Sequence, residues 1–209
     1  MTGRISIDLY STLDGVCQAP GNAQEDPDGG FAFGGWLAPV TSDEDGAQVV
    51  AGILAMDALL LGRRTYDVFA AYWPQHTDGA AGVIGRRFDE IPKYVASRGT
   101  PDLGWRDSYL LGDDLAGQLA ALKERHRDIH VIGSLDFCRS LLAGGLFDQL
   151  NLWVYPIVLG AGKRLFRPDG PPAALELLAA DPPSPRGGIL LRYGRTGKAP
   201  KTGDMSRQH

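Results

Sequence analysis

A chain of 209 residues, 44% hydrophobic and 22% charged, can bury one substantial core and has the make-up of a globular protein. A net charge of −4 comes with no basic stripe to track a nucleic-acid backbone, and nowhere do about 18 apolar residues run together to span a membrane. Cys17 and Cys138 lie far apart, and the four histidines are scattered without metal-ligand spacing. The N-terminus has no long apolar run, so the expectation is a cytoplasmic protein with no secretory signal. Glycines and prolines concentrate at 15–46, 79–85 and 168–203, which are expected to be loops and tail. The simplest organisation is one domain over 1–195, followed by a flexible polar tail over 196–209.

Residues 4–10 alternate, with Ile5, Ile7 and Leu9 on one side, and predict a first strand. Residues 11–41 hold no sustained period and predict a long lid-like loop packed partly on the body. Phe31, Phe33 and Trp36 are residues that a solvated linker avoids. They suit a cover for a planar ligand, or, ring by ring, an anchor to the core. Ser42 followed by Asp43, Glu44 and Asp45 marks a helix start, with acids at the positive end of its dipole. Val49, Val50, Ile53, Leu54 and Met56 continue that helix as a stripe.

Leu59, Leu60 and Leu61 before Gly62 read as the end of a strand buried on both faces. Gly62 permits close backbone approach, and Thr65 is expected to cap a short helix over 66–72 that Pro74 closes. Such a junction turns free N–H groups and a positive dipole end toward a phosphate, with Arg63 and Arg64 beside it. An ordinary turn with two solvated arginines fits the same residues. Short strands follow over 93–98 and 109–111, then a helix opened by Asp113 and Asp114 with Leu115, Leu119 and Leu122 on one face. Residues 129–134 repeat the earlier pattern of buried strand, Gly133 and N-cap Ser134, with a helix to about 143 stopped by Gly144 and Gly145. Helices between strands imply parallel pairing, and ligands then sit beyond the carboxyl ends of the strands, where the two glycine turns should meet. Strands over 150–159, 175–180 and 189–193, with no helix between them, predict an antiparallel finish.

The segment 160–165 starts like a dinucleotide fingerprint, but Leu165 replaces the final glycine, and no Ser or Thr follows Lys163 to make a phosphate loop. No GxSxG elbow is present either.

The ordered set STLDG at 11–15, GRRTY at 62–66, VASR at 95–98, VIGS at 131–134, GLFDQL at 145–150 and PIVLGAGKRLF at 156–166 resembles the dihydrofolate reductase superfamily. Within it, the set is most similar to the branch containing the reductase domain of the bifunctional riboflavin-biosynthesis deaminase/reductase. The resemblance spans about residues 4–193 and implies an α/β, dihydrofolate-reductase-like fold: a mostly parallel central sheet flanked by helices, with the antiparallel C-terminal finish. It implies NADPH as cofactor, hydride transfer to a small heterocyclic, pterin- or ribosylaminopyrimidine-like substrate, and a homodimer. The apolar stretch 150–159 suits a dimer face or an internal strand equally.

By the same resemblance, Gly62, Arg63, Arg64 and Thr65 would hold the pyrophosphate and 2′-phosphate region, and Ser97 and Arg98 the adenine ribose. Gly133, Ser134 and Leu135 would form the second phosphate turn, and Asp14, Gly15 and Val16 a segment closing on the nicotinamide. From the loop's own composition, Phe31 and Trp36 are the candidate substrate-facing rings. Asp136 stands where dihydrofolate reductases often carry an arginine, which leaves the 2′-phosphate to Arg63 and Arg98. Asp45 and Asp14 are the candidate proton donors; a helix-dipole acid and an Asp-Gly turn are their ordinary roles. A non-catalytic nucleotide- or drug-binding protein and a flavin-binding reductase are the competing readings of the same turns.

Overall fold

The computed structural model describes residues 2–79 and 82–204; the remaining parts of the glycine-rich stretch 79–85 and of the tail 196–209 lie outside the described residues. Its strands are β1 (Arg4–Thr12), β2 (Ala58–Gly62), β3 (Lys93–Ala96), β4 (Ser108–Leu110), β5 (Asp128–Val131), β6 (Gln149–Tyr155), β7 (Leu175–Ala180) and β8 (Ile189–Arg195). Its helices are α1 (Asp43–Ala55), α2 (Arg63–Tyr72), α3 (Gly82–Glu90), α4 (Leu115–Arg125) and α5 (Leu135–Gly144). All eight strands join one sheet in the order β4-β3-β2-β5-β1-β6-β8-β7. Pairing is parallel from β4 through β6, and β8 and β7 close the sheet antiparallel. The fold is the mixed α/β architecture, a mostly parallel sheet flanked by helices with an antiparallel finish, that the motifs implied.

Alternation along the strands divides the core between the two faces. On one face Ile5, Ile7, Leu60, Ile129, Val131 and Leu150 pack against Leu119 and Leu122 of α4 and Phe137, Cys138 and Leu141 of α5. On the other, Leu59, Leu61 and Val95 meet Ile53 of α1, Met56 just after it, Tyr66 of α2 and Phe88 of α3. β2 is buried along its whole length, as its leucine run requires.

Three expectations need correction. Thr65 does not cap α2: the helix starts at Arg63 with Gly62 at the N-cap, because the extended backbone of Gly62 leads directly into the first turn. The stretch 79–85 is not all loop: Gly82 and Gly85 are buried in α3. A Cβ on Gly85 would fall onto the carbonyl oxygen of His76, so the glycine serves close packing. The strand expected over 150–159 ends at Tyr155, where Pro156 removes a ladder donor. It lies between β1 and β8, with Leu150 and Tyr155 fully buried, so it is internal and offers no dimer face. In the loop over 11–41, whose first two residues belong to β1, Val16, Cys17, Ala19 and Trp36 are buried, and Val16 bridges to Arg164. The buried Gln18 amide donates to the carbonyls of Asp26 and Asp28 and accepts from Lys163 N, which satisfies loop backbone that burial would otherwise leave unpaired.

No helix among the described residues is long and apolar enough to cross a membrane.

Candidate functional site

The two glycine turns meet. Gly62 N–H donates to the carbonyl of Gly133 at 2.9 Å. A Cβ on Gly62 would fall onto Ser134 Oγ and lie 2.8 Å from Ser134 N, and one on Gly133 would lie 2.7 Å from Thr65 Oγ1. Only glycine lets the junctions approach this closely. The helices they open differ from α1 and α4 in one respect. Ser42 caps α1 and Asp114 caps α4 through their side chains, whereas neither Gly62 of α2 nor Ser134 of α5 supplies a side-chain cap. First-turn N–H groups of two helices are therefore left for another acceptor, which is the donor set that a pyrophosphate needs.

Thr65, Gly133, Ser134 and Leu135 line a cleft of about 1280 Å³ that runs from these turns along the sheet face beneath α1. That volume suits a dinucleotide with a small second ligand. Arg64, Arg139, Lys163, Arg164 and Arg167 also line it. Asp28 ties two of them together, 2.6 Å from Arg64 Nη1 and 2.8 Å from Lys163 Nζ, and Asp26 lies 2.6 Å from Lys163 Nζ. Lys163 and then Arg64 hold the Asp28 carboxyl below its usual range. Arg139 pairs with Asp136 and donates to the carbonyl of Arg164, binding α5 to the 160–165 segment. Clustered guanidinium and ammonium groups beside uncapped helix ends form an anion-binding end to the cleft.

The floor at the other end comes from the sheet. Ile5, Ile7 and Leu9 face the core, so Ser6, Asp8 and Tyr10 point the opposite way. The β1–β5 and β1–β6 registers set Ser6 beside His130, Asp8 beside Asn151 and Tyr10 beside Trp153. His130 is 7% exposed. Its Nδ1 lies 2.6 Å from Asp8 Oδ2, and its Nε2 lies 3.4 Å from Asp128 Oδ1 without making a hydrogen bond. Asp8 Oδ1 accepts from Asn151 Nδ2 at 2.8 Å. Burial works against charge on His130, but the Asp8 and Asp128 carboxylates outweigh it and raise the imidazole from 6.5 to about 9.

The sequence-predicted residues divide. Gly62, Arg64, Thr65, Gly133, Ser134 and Leu135 come together at the cleft or the turns that frame it. The remainder lie elsewhere. Arg63 pairs with Asp67 one turn along α2. Arg98 is exposed, and Ser97 Oγ accepts from Gly99 N in the turn that ends β3; neither lines the cleft. Asp14 is a staple: it accepts from Thr12 Oγ1 and from the backbone N–H groups of Leu159 and Gly160, and it pairs with Arg164 at 3.1 Å. The Thr12 bond and these partners hold its carboxyl far below the usual range. Gly15 makes the left-handed turn after it, and Val16 is buried. Asp45 is 2% exposed and closes a capping box with Ser42, while also accepting from Ser184 Oγ. Trp36 packs in the core against Tyr155 and donates to the carbonyl of Gln18. Phe31 lies against Gly162 and Phe33.

Sequence reasoning missed Lys163, Arg164 and Arg139, and the Asp8–His130–Asp128–Asn151 floor. The alternation of β1 carried a signal for the floor, since polar residues opposite a core stripe on a central strand need partners.

Residues 4–182 match the RibD C-terminal domain family. The uncharacterized protein YyaP of Bacillus subtilis (strain 168) is 26% identical over 169 residues, covering 78% of this chain and 80% of that protein. Among solved structures, a Shewanella sp. PV-4 protein assigned by name to riboflavin biosynthesis superposes with a TM-score of 0.69 at 20% identity, covering 92% of this chain and 99% of that one. Acinetobacter baumannii RibD gives 0.63 at 16% identity over 93% of this chain and 58% of its own. Enterococcus faecalis dihydrofolate reductase, solved with NADP(H), gives 0.57 at 11% identity over 94% of this chain and 98% of its own. With the family match spanning most of its length, this chain belongs to the RibD C-terminal domain family, and its fold is shared with dihydrofolate reductase.

Proposed function

We propose that the protein is an NADPH-dependent reductase acting on a small heterocyclic substrate of pterin- or ribosylaminopyrimidine-like kind. The observation that carries the reading is the pair of uncapped helix N-termini joined through Gly62 and Gly133 beside Arg64, Arg139 and Lys163. Those residues fit a dinucleotide diphosphate: backbone N–H groups and Thr65 would hold its oxygens, and the basic side chains would balance their charge. When bound, NADPH supplies the hydride. The chain's part is to orient the two ligands, keep water from them and provide a proton. Preference for the 2′-phosphate passes from Arg63 and Arg98, which do not line the cleft, to Arg64 and Lys163. The reading includes a cytoplasmic homodimer; support for the dimer comes from the edge strand β7, where Leu177 and Leu178 stand exposed.

Titration against tryptophan fluorescence tests it, because Trp153 lines the cleft. NADPH should bind more tightly than NADH. Arg64→Ala should weaken NADPH about tenfold or more, the worth of one charge-assisted bond, and narrow the gap. Equal affinities for the two cofactors would contradict the phosphate assignment. NADPH binding without consumption across dihydropterin, dihydrofolate and aminopyrimidine acceptors would favour a sequestering protein, and a yellow protein on purification a flavin enzyme.

A further inference from the structure

We propose that Asp8 and His130 form the proton-delivering couple of the cleft, with Asp8 meeting the substrate and His130 holding the proton in reserve. The inference rests on the reductase reading above and assigns its missing acid. Asp45, buried in its capping box, and Asp14, stapled to the 159–164 segment, both lie off the cleft. Asp8, His130 and Asp128 all line it.

Stability alone does not account for the cluster. Replacing a buried ion pair with packed apolar residues is often neutral or stabilising, and β5 neighbours Ile129 and Val131 show that the strand accepts such residues on its other face. Instead one imidazole sits between two carboxylates from adjacent strands. Other charged groups facing it are few. Arg4 of β1 reaches Asp128 at 3.1 Å, and Arg192 of β8 is paired with Asp181. From α1 the described cleft-lining residues include Gln48 and no charged group. Tyr10, next along β1 on the same face, has its hydroxyl pushed far above its ordinary range by burial, so it is a neutral donor. The cluster keeps a proton on His130 at neutral pH while Asp8 stays hydrogen-bonded to Asn151.

Reduction of a C=N bond needs a hydride at carbon, which NADPH supplies with both electrons, and a proton at nitrogen. The Nδ1 proton of His130 passes to Asp8 Oδ2, and Asp8 hands it on to the substrate nitrogen. Asp8 begins and ends as carboxylate, and His130 goes from imidazolium to neutral imidazole. Reprotonation of His130 comes from solvent at the partly exposed Asp128 edge.

Two measurements test this. Imidazole NMR of the protein without cofactor, assigned by His130→Gln, should show His130 protonated at pH 8, and Asp8→Asn should lower its midpoint by a unit or more. An ordinary midpoint near 6.5 in the parent would overturn the proposal. NADPH oxidation with dihydropterin, dihydrofolate and aminopyrimidine acceptors should then be level through neutral pH and fall above about 9. Asp8→Asn should slow it about 10²- to 10³-fold with NADPH affinity kept, and His130→Gln should remove the falling limb. Should His130→Gln not fold, the isosteric Asp8→Asn and the parent's NMR titration still decide. Asp8→Asn at the parent's rate and pH profile would sink this inference and leave the reductase reading intact. Binding of NADPH with no acceptor consumed by the parent would sink both.

Discussion

The partners of the deeply buried Asp45, Lys93 and His130 separate structural roles from chemical ones. Asp45 satisfies the backbone N–H of Ser42 and the hydroxyl of Ser184. Asp45→Ala should therefore destabilise by about 1–3 kcal/mol in urea denaturation and leave NADPH affinity unchanged; a weakened cofactor would return Asp45 to the site. Lys93 is fully buried, with Nζ donating to the carbonyls of Phe88 and Asp89 and lying 4.4 Å from the Trp105 ring centroid. Burial lowers its pKa from 10.5 to about 8, whereas the carboxylates raise His130 from 6.5 to about 9. The signs oppose. His130 contributes stability that is complete below its unfolded value and is lost as pH rises through 9, while Lys93 penalises the fold increasingly as pH falls from 10.5 toward 8. Subtracting a variant isolates one of them: the stability gap between the parent and His130→Gln should narrow between pH 6.5 and 9.5. A gap independent of pH would contradict the charged state assigned to His130.

Among the elements, the contact between the turns at Gly62 and Gly133 is the least tolerant of change. Gly62 has an ordinary negative φ, so alanine there would be strained by contact alone, against Ser134 N and 3.0 Å from Phe137 Cβ. Gly62→Ala should destabilise by about 1–3 kcal/mol and weaken NADPH by separating α2 from α5; an unshifted urea midpoint would show that the turns have slack. Local signals made much of this legible. The Ser42 cap, the leucine run of β2 and the left-handed Gly145 that ends α5 act within a few residues and are legible in the sequence. What escaped depends on distant parts of the chain. Gly82 and Gly85 look like loop glycines until the backbone at Thr77 and His76 packs against them. The 11–41 loop displays its aromatic anchors, but not the partners that Gln18 and Trp36 find in it and beyond it. His130 and Asp8 are 122 positions apart, and only the β1–β5 register joins them.

At the scale of the whole molecule, the sheet order explains the cleft. β5 and β2 lie side by side at its centre, so the turns after them meet, and β1 and β6 extend the same face into a polar floor. One end is basic and bordered by helix N-termini, while the other holds a histidine between two acids. The account depends on the basic end gripping a dinucleotide. Crystals grown with NADPH test that directly. Density for the pyrophosphate between the first turns of α2 and α5, with Asp28 released from Arg64, is the predicted result. A cofactor bound elsewhere, or none bound with Asp28 still seated on Arg64 and Lys163, would contradict it.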